Sequence, residues 1–578
     1  MEKFDLRRTK DGYQLNVPIS GTSLLRFPLY NKGTGFSEAE RKRFDLDGLL
    51  PSQSNDIETQ ARRVYRSIMF NKDPVGRHID LAALQDRNEH LFYKILSLHL
   101  EELMPIVYTP TVGKASQYFS RVFRRARGIW ITPDHAGRIE QVLRNAAPFT
   151  DVQLMVVTDN ESILGIGDQG AGGMAISVGK LSLYIAGAGI HPVRTLPISL
   201  DVGTDNQSLL DDRLYLGRRE PRLRGEKYRE LVDEFVLAAR AVFPEVVIQW
   251  EDFRKDNALQ IMDRYRNKVP SFNDDIQGTG AVALACILAA SRISGRNIAD
   301  DRVLVFGAGA AGLGIARQIT SELRNTGLEG ADLRKAVLVM DSRGVISDGR
   351  ELDEYKQELA WPEDMAASLG LNDQQRKILH RVVAAYEPTV LIGTSGQGGA
   401  FDEESVRAMA DATDTPVILP MSNPTAISEA KPEDVLRWSE DRALVATGSP
   451  FDDVSMRGGV QRIGQANNVF IFPGIGLGTI VSGASEVTDT MISASAHALA
   501  DSLSDEELSS RCLMPEVSRL WEISGDIAFA VGRQAIEDGV ADKISDDEYR
   551  KRIDDYRWIP EYPEMIQEGD RRRTLGKK

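Results

Sequence analysis

The stretch RVLVFGAGAAGLG, residues 302–314, constrains the fold of this chain more than any other. An apolar run that reads as a buried strand leads straight into Gly307, Gly309 and Gly312 at G-x-G-x-x-G spacing, and a helical pattern follows. Each glycine has a mechanical reason. Gly307 permits the tight turn, Gly309 lets a pyrophosphate approach the backbone, and Gly312 allows the helix to pack closely on the strand. The helix N-terminus then offers free N–H groups to the phosphates. The next strand ends VLVMDSRG, which places Asp341 where an acid accepts hydrogen bonds from an adenosine ribose. The gap from Gly312 to Asp341 exceeds the usual spacing of about 20 residues, and TSELRNTGLEGADL supplies the extra length. Ser342 and Arg343 beside Asp341, with Lys356 downstream, suit a 2′-phosphate or, equally, a solvated surface turn, so the expected cofactor is NAD or NADP with a slight lean to the phosphorylated form. A second match, Gly165, Gly167 and Gly170 in ILGIGDQGAGG, is separated from its strand by the polar turn DNES and has no acid-ended strand after it. It reads as a loop, not as a second nucleotide site.

From residue 279 onward a helix, a strand at 302–306, a helix and a strand at 336–340 alternate. Further strands are read at VLIGTS, PVILPMS, RALVATGS and NVFIFPG. That alternation predicts a doubly wound parallel sheet. Earlier, Leu91, Ile95, Leu98 and Leu103 recur at helical spacing over residues 88–104 until Pro105, and the region to residue 126 reads as mostly helical. The character changes after Pro148, where VQLMVVT reads as a buried strand; the apolar run LSLYIAGAGI follows, and EVVIQWEDF closes another strand.

With 578 residues, several domains are expected at about 150 residues each. The 70 Lys plus Arg against 85 Asp plus Glu give a net charge of −15, which repels nucleic acid and anionic lipid. Arg571, Arg572, Arg573, Lys577 and Lys578 read as a frayed basic tail. No signal-peptide core is seen near the N-terminus, and the longest apolar stretch, around 281–290, is about half a membrane span. Cys286 and Cys512 make neither a disulfide framework nor a zinc site. The expected location is cytoplasmic, with no nucleic-acid or membrane partner.

Glu251 and Asp252 end the strand VVIQW, and Asp274 and Asp275 precede the next helix. Hard oxygen ligands without His or Cys suit Mg²⁺ or Mn²⁺, and carboxylates flanked by apolar positions need a counter-charge. On spacing alone, an acidic pair in a chain this charged is more usually a solvated turn or a helix cap. Tyr108 in IVYTPTVG is bracketed by Pro105 and Pro110, and Lys180 in ISVGKLSLY opens an apolar run, where burial disfavours an ammonium and makes a lysine a usable base. Taken singly, they read as a core tyrosine and a snorkelling lysine.

Together, MPIVYTPTVG, ILGIGDQG, VGKLSLY, DVGTDN, WEDF, FNDDIQGTG, VFGAGAAGLG, MSNPTA and NNVFIFPG resemble the malic enzymes of the large-subunit type, in the family's order and over nearly the whole chain. The resemblance implies Tyr108 as general acid, Lys180 as general base and Asp274 supporting the base. It implies Glu251, Asp252 and Asp275 as ligands of the divalent cation, and Asn423 and Asn468 holding the substrate, with Asn423 also beside the cofactor. It further implies oxidation of (S)-malate at C2 with NAD(P)⁺, loss of the C4 carboxylate as CO₂, and protonation at C3 to give pyruvate. The implied architecture is α/β throughout: a helical N-terminal domain (1–126), a central substrate and metal domain (127–275 and 469–535), an inserted Rossmann-type nucleotide domain (276–468) and a C-terminal extension (536–578). A homodimer or homotetramer is expected.

One departure stands out. Many family members carry an arginine after the acid in TDNESILGIGDQG, pairing with a substrate carboxylate; here Ser162 follows Glu161. Malolactic enzymes, which convert malate to lactate and CO₂ with tightly held NAD, share the scaffold and can also lack that arginine, so they are the alternative. A nucleotide-sensing protein without turnover, and a plain hydroxyacid dehydrogenase without decarboxylation, explain the acids and Tyr108 less well.

Overall fold

The computed structural model describes residues 4–10, 12–147 and 149–567. Pro148 and the basic tail from Arg571 lie outside the described residues. The chain forms two compact units, one of residues 1–247 with 554–578, the other of residues 248–553.

In the first unit, helices Ile57–Phe70, Pro74–Gln85, Glu89–Leu98, Leu100–Val107 and Thr111–Gln117 pack on one another. The expected stop at Pro105 is corrected: Pro105 lies inside Leu100–Val107, and the helical run breaks at His99, which has φ −132°. The proline is tolerated because the carbonyl it orphans belongs to exposed Glu101, where water substitutes. Strands Ile129–Ile131, Thr195–Leu200 and Leu154–Thr158 run parallel in that order. The last is buried at every residue, the pattern of a strand covered on both faces. One cover is the helix Met174–Ala188, buried almost all round. The run LSLYIAGAGI belongs to this helix. Leu6–Thr9 and Gly12–Asn16 form a hairpin, which Glu564–Ile566 joins in parallel, so the two ends of the chain share one small sheet.

The second unit holds a seven-stranded sheet in the order Gly344–Val345, Val337–Asp341, Val303–Phe306, Val390–Gly393, Val417–Pro420, Leu444–Thr447, Gly464–Gln465. All pairs are parallel except the edge strand Gly344–Val345. Chain order reverses between Val303–Phe306 and Val390–Gly393, and the crevice beyond their carboxyl ends is where such sheets bind ligands. Helices Ala310–Asn325 and Gly330–Ala336 fill the long gap before Asp341. NVFIFPG is corrected from strand to helix start: a short turn Asn468–Phe470 leads into the helix Phe472–Ser482. Burial on all sides makes that run apolar without alternation, and a run so short does not separate strand from helix; Pro473, at the second helical position, is the feature that does. The apolar helix Asp274–Ser294 has 21 residues, and 72% of its most apolar window is buried, as befits a core helix.

Candidate active site

In the second unit, the strand Val247–Trp250 delivers Glu251 and Asp252 at its end, and the parallel neighbour Ser271–Asn273 delivers Asp274 and Asp275. Asp252 adopts φ +56°, a left-handed conformation that costs a non-glycine residue energy and collects at functional sites. Its backbone N–H donates to Asp275 Oδ2 at 2.8 Å, and Gln249 Nε2 donates to Glu251 Oε2 at 2.8 Å. The turn Asp274–Gly278 is wound wider than an α-helix, with the Thr279 N–H reaching the Asp274 carbonyl. Asn273 Oδ1 accepts from the Ile276 N–H at 3.0 Å and fixes the turn's entry. The result brings carboxylate oxygens of Glu251, Asp252 and Asp275 within 4.8 Å of one another, the first two buried. Three hard anionic oxygens without nitrogen or sulfur fit Mg²⁺ or Mn²⁺.

Asp274 stands apart from that trio. The Asn468 amide donates to its Oδ2 at 3.0 Å, to its carbonyl at 3.1 Å and to Thr279 Oγ1 at 3.0 Å. The amide N–H₂ of Asn468 thus contacts both Asp274 and Thr279.

At the glycine turn, Gly307 has φ +127° with Thr394 packed against it. A Cβ on Gly312 would sit 1.8 Å from the Gly307 carbonyl oxygen, whereas a Cβ on Gly309 would meet nothing within 4 Å. Gly307 and Gly312 are demanded by the fold, and the space above Gly309 is what a phosphate requires. Gly314, just beyond Gly312 on the same helix, has its Cβ position 2.2 Å from the Ile276 carbonyl, so this helix packs directly on the turn that carries Asp274 and Asp275. Asp341 ends its strand as expected. Arg350 Nη2 reaches both its oxygens, at 2.8 and 3.0 Å, Lys356 Nζ lies at 3.0 Å, and the Arg343 N–H donates at 2.8 Å. Burial alone raises its pKa, but these three donors outweigh it and hold the carboxyl below the usual range. Ser342 is exposed beside it.

Asn423 follows the strand Val417–Pro420, and its Oδ1 accepts from Ser449 Oγ at 3.2 Å. Beneath that loop lies a residue the motifs do not announce, the fully buried Glu429. It accepts from the N–H and hydroxyl of Ser395 at 2.7 and 2.9 Å and from those of Ser422 at 3.2 and 2.6 Å. One carboxylate thereby ties together the loops beyond two adjacent strands of the crevice.

In the first unit, Tyr108 follows Leu100–Val107, and Lys180 sits in the middle of Met174–Ala188; both are buried. Lys180 Nζ lies 5.3 Å from the Tyr108 ring centroid. Gly179 makes that approach possible, because a Cβ there would come within 2.6 Å of the Val107 carbonyl oxygen. Lys180 is not a snorkelling surface lysine, since it is 1% exposed. The decoy Gly165, Gly167 and Gly170 lies in a loop ahead of this helix, with φ +78° and +50° at the last two. Ser162 occupies the bend just before it, half-buried.

A doubly wound sheet with a dinucleotide turn, a carboxylate trio and a buried lysine beside a tyrosine defines a nucleotide-dependent α/β enzyme. The family model "Malic enzyme, N-terminal domain" matches residues 85–266, and "Malic enzyme, NAD binding domain" matches residues 276–536. The chain is 47% identical over 549 residues to an NAD-dependent malic enzyme of Sodalis glossinidius, covering 95% of this chain and 97% of that one. It is 44% identical over 551 residues to an NAD-dependent malic enzyme of Acinetobacter baylyi, with the same coverage. Among solved structures, the Entamoeba histolytica malic enzyme superposes with TM-score 0.55 at 22% identity, over 92% of this chain and 93% of that one, a likeness of fold. The chain belongs to the malic enzyme family.

Proposed function

We propose that this protein catalyses the oxidative decarboxylation of (S)-malate to pyruvate and CO₂ with reduction of NAD⁺, dependent on Mg²⁺ or Mn²⁺. The observation that carries the reading is near full-length similarity to relatives named NAD-dependent malic enzymes. The lean toward the phosphorylated nucleotide is dropped: those relatives are NAD-dependent, and the Lys356 side chain is engaged by Asp341.

Bound NAD⁺ supplies the hydride acceptor, and a cation held by Glu251, Asp252 and Asp275 supplies Lewis acidity at C2. Lys180 takes the C2 hydroxyl proton, and Tyr108 delivers a proton to C3 after CO₂ leaves. Their closeness lets the proton taken by one resupply the other. Asp274, steadied by Asn468, supports the base, and Asn423 and Asn468 meet the substrate. Gly307, Gly309 and Gly312 cradle the pyrophosphate, while Asp341, Ser342 and Lys356 face the adenosine ribose. The four-part division at residues 126, 275, 468 and 535, a homo-oligomeric state and a cytoplasmic location complete the proposal.

The test supplies (S)-malate, Mn²⁺ and NAD⁺ or NADP⁺, and quantifies reduced cofactor, pyruvate and lactate in one vessel. Equal amounts of NADH and pyruvate are expected. Lactate without net reduction would overturn the reading and point to Ser162.

A further inference from the structure

A doubly wound sheet binds a dinucleotide across its switch point, one mononucleotide over each half of the sheet. With the adenosine ribose proposed at Asp341, the half built from Val303–Phe306 and Val337–Asp341 is taken. The nicotinamide half falls to the loops beyond Val390–Gly393, Val417–Pro420 and Leu444–Thr447, on the other side of the reversal. The tips of the first two loops, residues 396–399 and 424–426, are exposed, so what holds them lies below.

Glu429 is what lies there. Its Oε1 accepts from the Ser395 N–H, the Ser395 hydroxyl and the Ser422 hydroxyl, at 2.7, 2.9 and 2.6 Å, while its Oε2 accepts from the Ser422 N–H at 3.2 Å. A Cβ on Gly393 would come within 2.5 Å of the carboxyl carbon, so the strand end is left bare to admit it. Burying a carboxylate costs far more than burying an apolar group. The four hydrogen bonds that offset the cost all come from two loops of the crevice. The network then spreads. Ser422 Oγ also accepts from the Gly396 N–H at 2.9 Å. Ser449 Oγ, from the third loop, lies 3.3 Å from the Ser422 carbonyl and 3.2 Å from Asn423 Oδ1.

We infer that Glu429 is a positioning residue for the nicotinamide half of the bound dinucleotide. Fully buried, it touches neither cofactor nor substrate; it acts by fixing Ser395 and Ser422 and, through Ser422, the neighbouring Asn423. The inference rests on NAD⁺ occupying this crevice, and not on which product malate gives.

The test is calorimetric titration of the full chain with NAD⁺ and, separately, with AMP, which carries only the adenosine half. Both oxygens of Glu429 accept from a backbone N–H, and an amide has one oxygen, so Glu429→Gln breaks one tie whichever way it turns. Ser422→Ala removes the hydroxyl between Glu429 and Gly396 and leaves the carboxylate in place; should Glu429→Gln fold poorly, it reads the same split. NAD⁺ affinity is expected to fall about 10-fold in Glu429→Gln and about 5-fold in Ser422→Ala, with AMP affinity within about twofold of wild type in both. Equal losses for NAD⁺ and AMP would show a general structural role, and unchanged NAD⁺ affinity in both variants would show loops that need no such tie; either overturns the proposal. A wild-type chain that binds no NAD⁺ would overturn the cofactor reading itself, an outcome distinct from any confined to the variants.

Discussion

Each unit gathers three carboxylates in its interior, yet the two trios are built to opposite ends. In the first unit, Asp159, Glu161 and Asp168 surround Arg222, whose buried guanidinium lies 3.4, 3.5 and 3.3 Å from an oxygen of each. In the second, Glu251, Asp252 and Asp275 bring their oxygens together on one another. Arginine offers five N–H groups in a wide, planar fork, so acids arranged around it stay spread out. Oxygens that converge on a point instead suit a compact divalent ion at about 2.1 to 2.5 Å. The first trio carries its own counter-charge and is structural; the second is proposed to take its counter-charge from solution, which makes it a site.

The widest separation of the two comes from Asp275→Asn. The amide oxygen still accepts from the Asp252 N–H, so the turn is kept while a charged ligand is lost. Activity is expected to fall about 1,000-fold, the several kcal/mol that a Lewis acid supplies, and Mn²⁺ binding read by electron paramagnetic resonance should weaken with it. Thermal unfolding in EDTA should shift little. Unchanged Mn²⁺ affinity would remove the contrast between the trios.

Arg222→Met should do the reverse. Stripping a buried cation from its acids costs about 3 to 5 kcal/mol, and added Mn²⁺ should not restore it. The pH dependence has a definite sign. Burial already raises Asp159 above the usual carboxylate range, with Arg222 the largest opposing influence. Without Arg222 the folded-state pKa rises further, so the folded state holds its proton over a wider range and stability falls as pH rises through that range. The deficit relative to wild type, measured by urea unfolding, should therefore be larger at pH 8 than at pH 5. A deficit independent of pH would mean that Arg222 acts through packing alone.

The sequence made one trio visible and hid the other for a physical reason. Glu251, Asp252 and Asp275 end two adjacent parallel strands, and a strand pattern followed by paired acids can be read from local spacing. Arg222 lies far along the chain from Asp159, so the ion pair exists only after folding. The glycine turn was equally legible, because Gly312 is forced by the Gly307 carbonyl a few residues earlier and Gly307 by its own positive φ, although Thr394, which also crowds Gly307, lies far along the chain. Gly179 was not, because the Val107 carbonyl it accommodates belongs to another helix, and Glu429 was not, because its partners sit on two separate loops. NVFIFPG was misread as a strand because Phe472–Ser482 is buried on nearly every face, and an apolar run without periodicity does not declare its geometry.

The finest test lies one layer out from each trio. Tyr228 donates to Asp159 Oδ2 at 2.6 Å, and burial, then Asp159 itself, pushes its phenol well above the usual range, so it remains a donor. Tyr228→Phe should cost about 1.5 to 3 kcal/mol of stability, as expected for a buried hydrogen bond to a charged group, without altering metal affinity. Gln249 is the counterpart in the second unit, fully buried and donating to Glu251. Its methionine variant keeps the volume but frees a ligand oxygen to turn. If the second trio is a metal site, Mn²⁺ affinity should fall about 10-fold, the lower end for loss of a residue that orients a ligand. Stability without metal should change by less than it does in Tyr228→Phe, because the freed carboxylate faces the position proposed for the cation. Equal stability losses for the two variants would show that Gln249 and Tyr228 do the same structural work, and would erase the distinction at its most sensitive point.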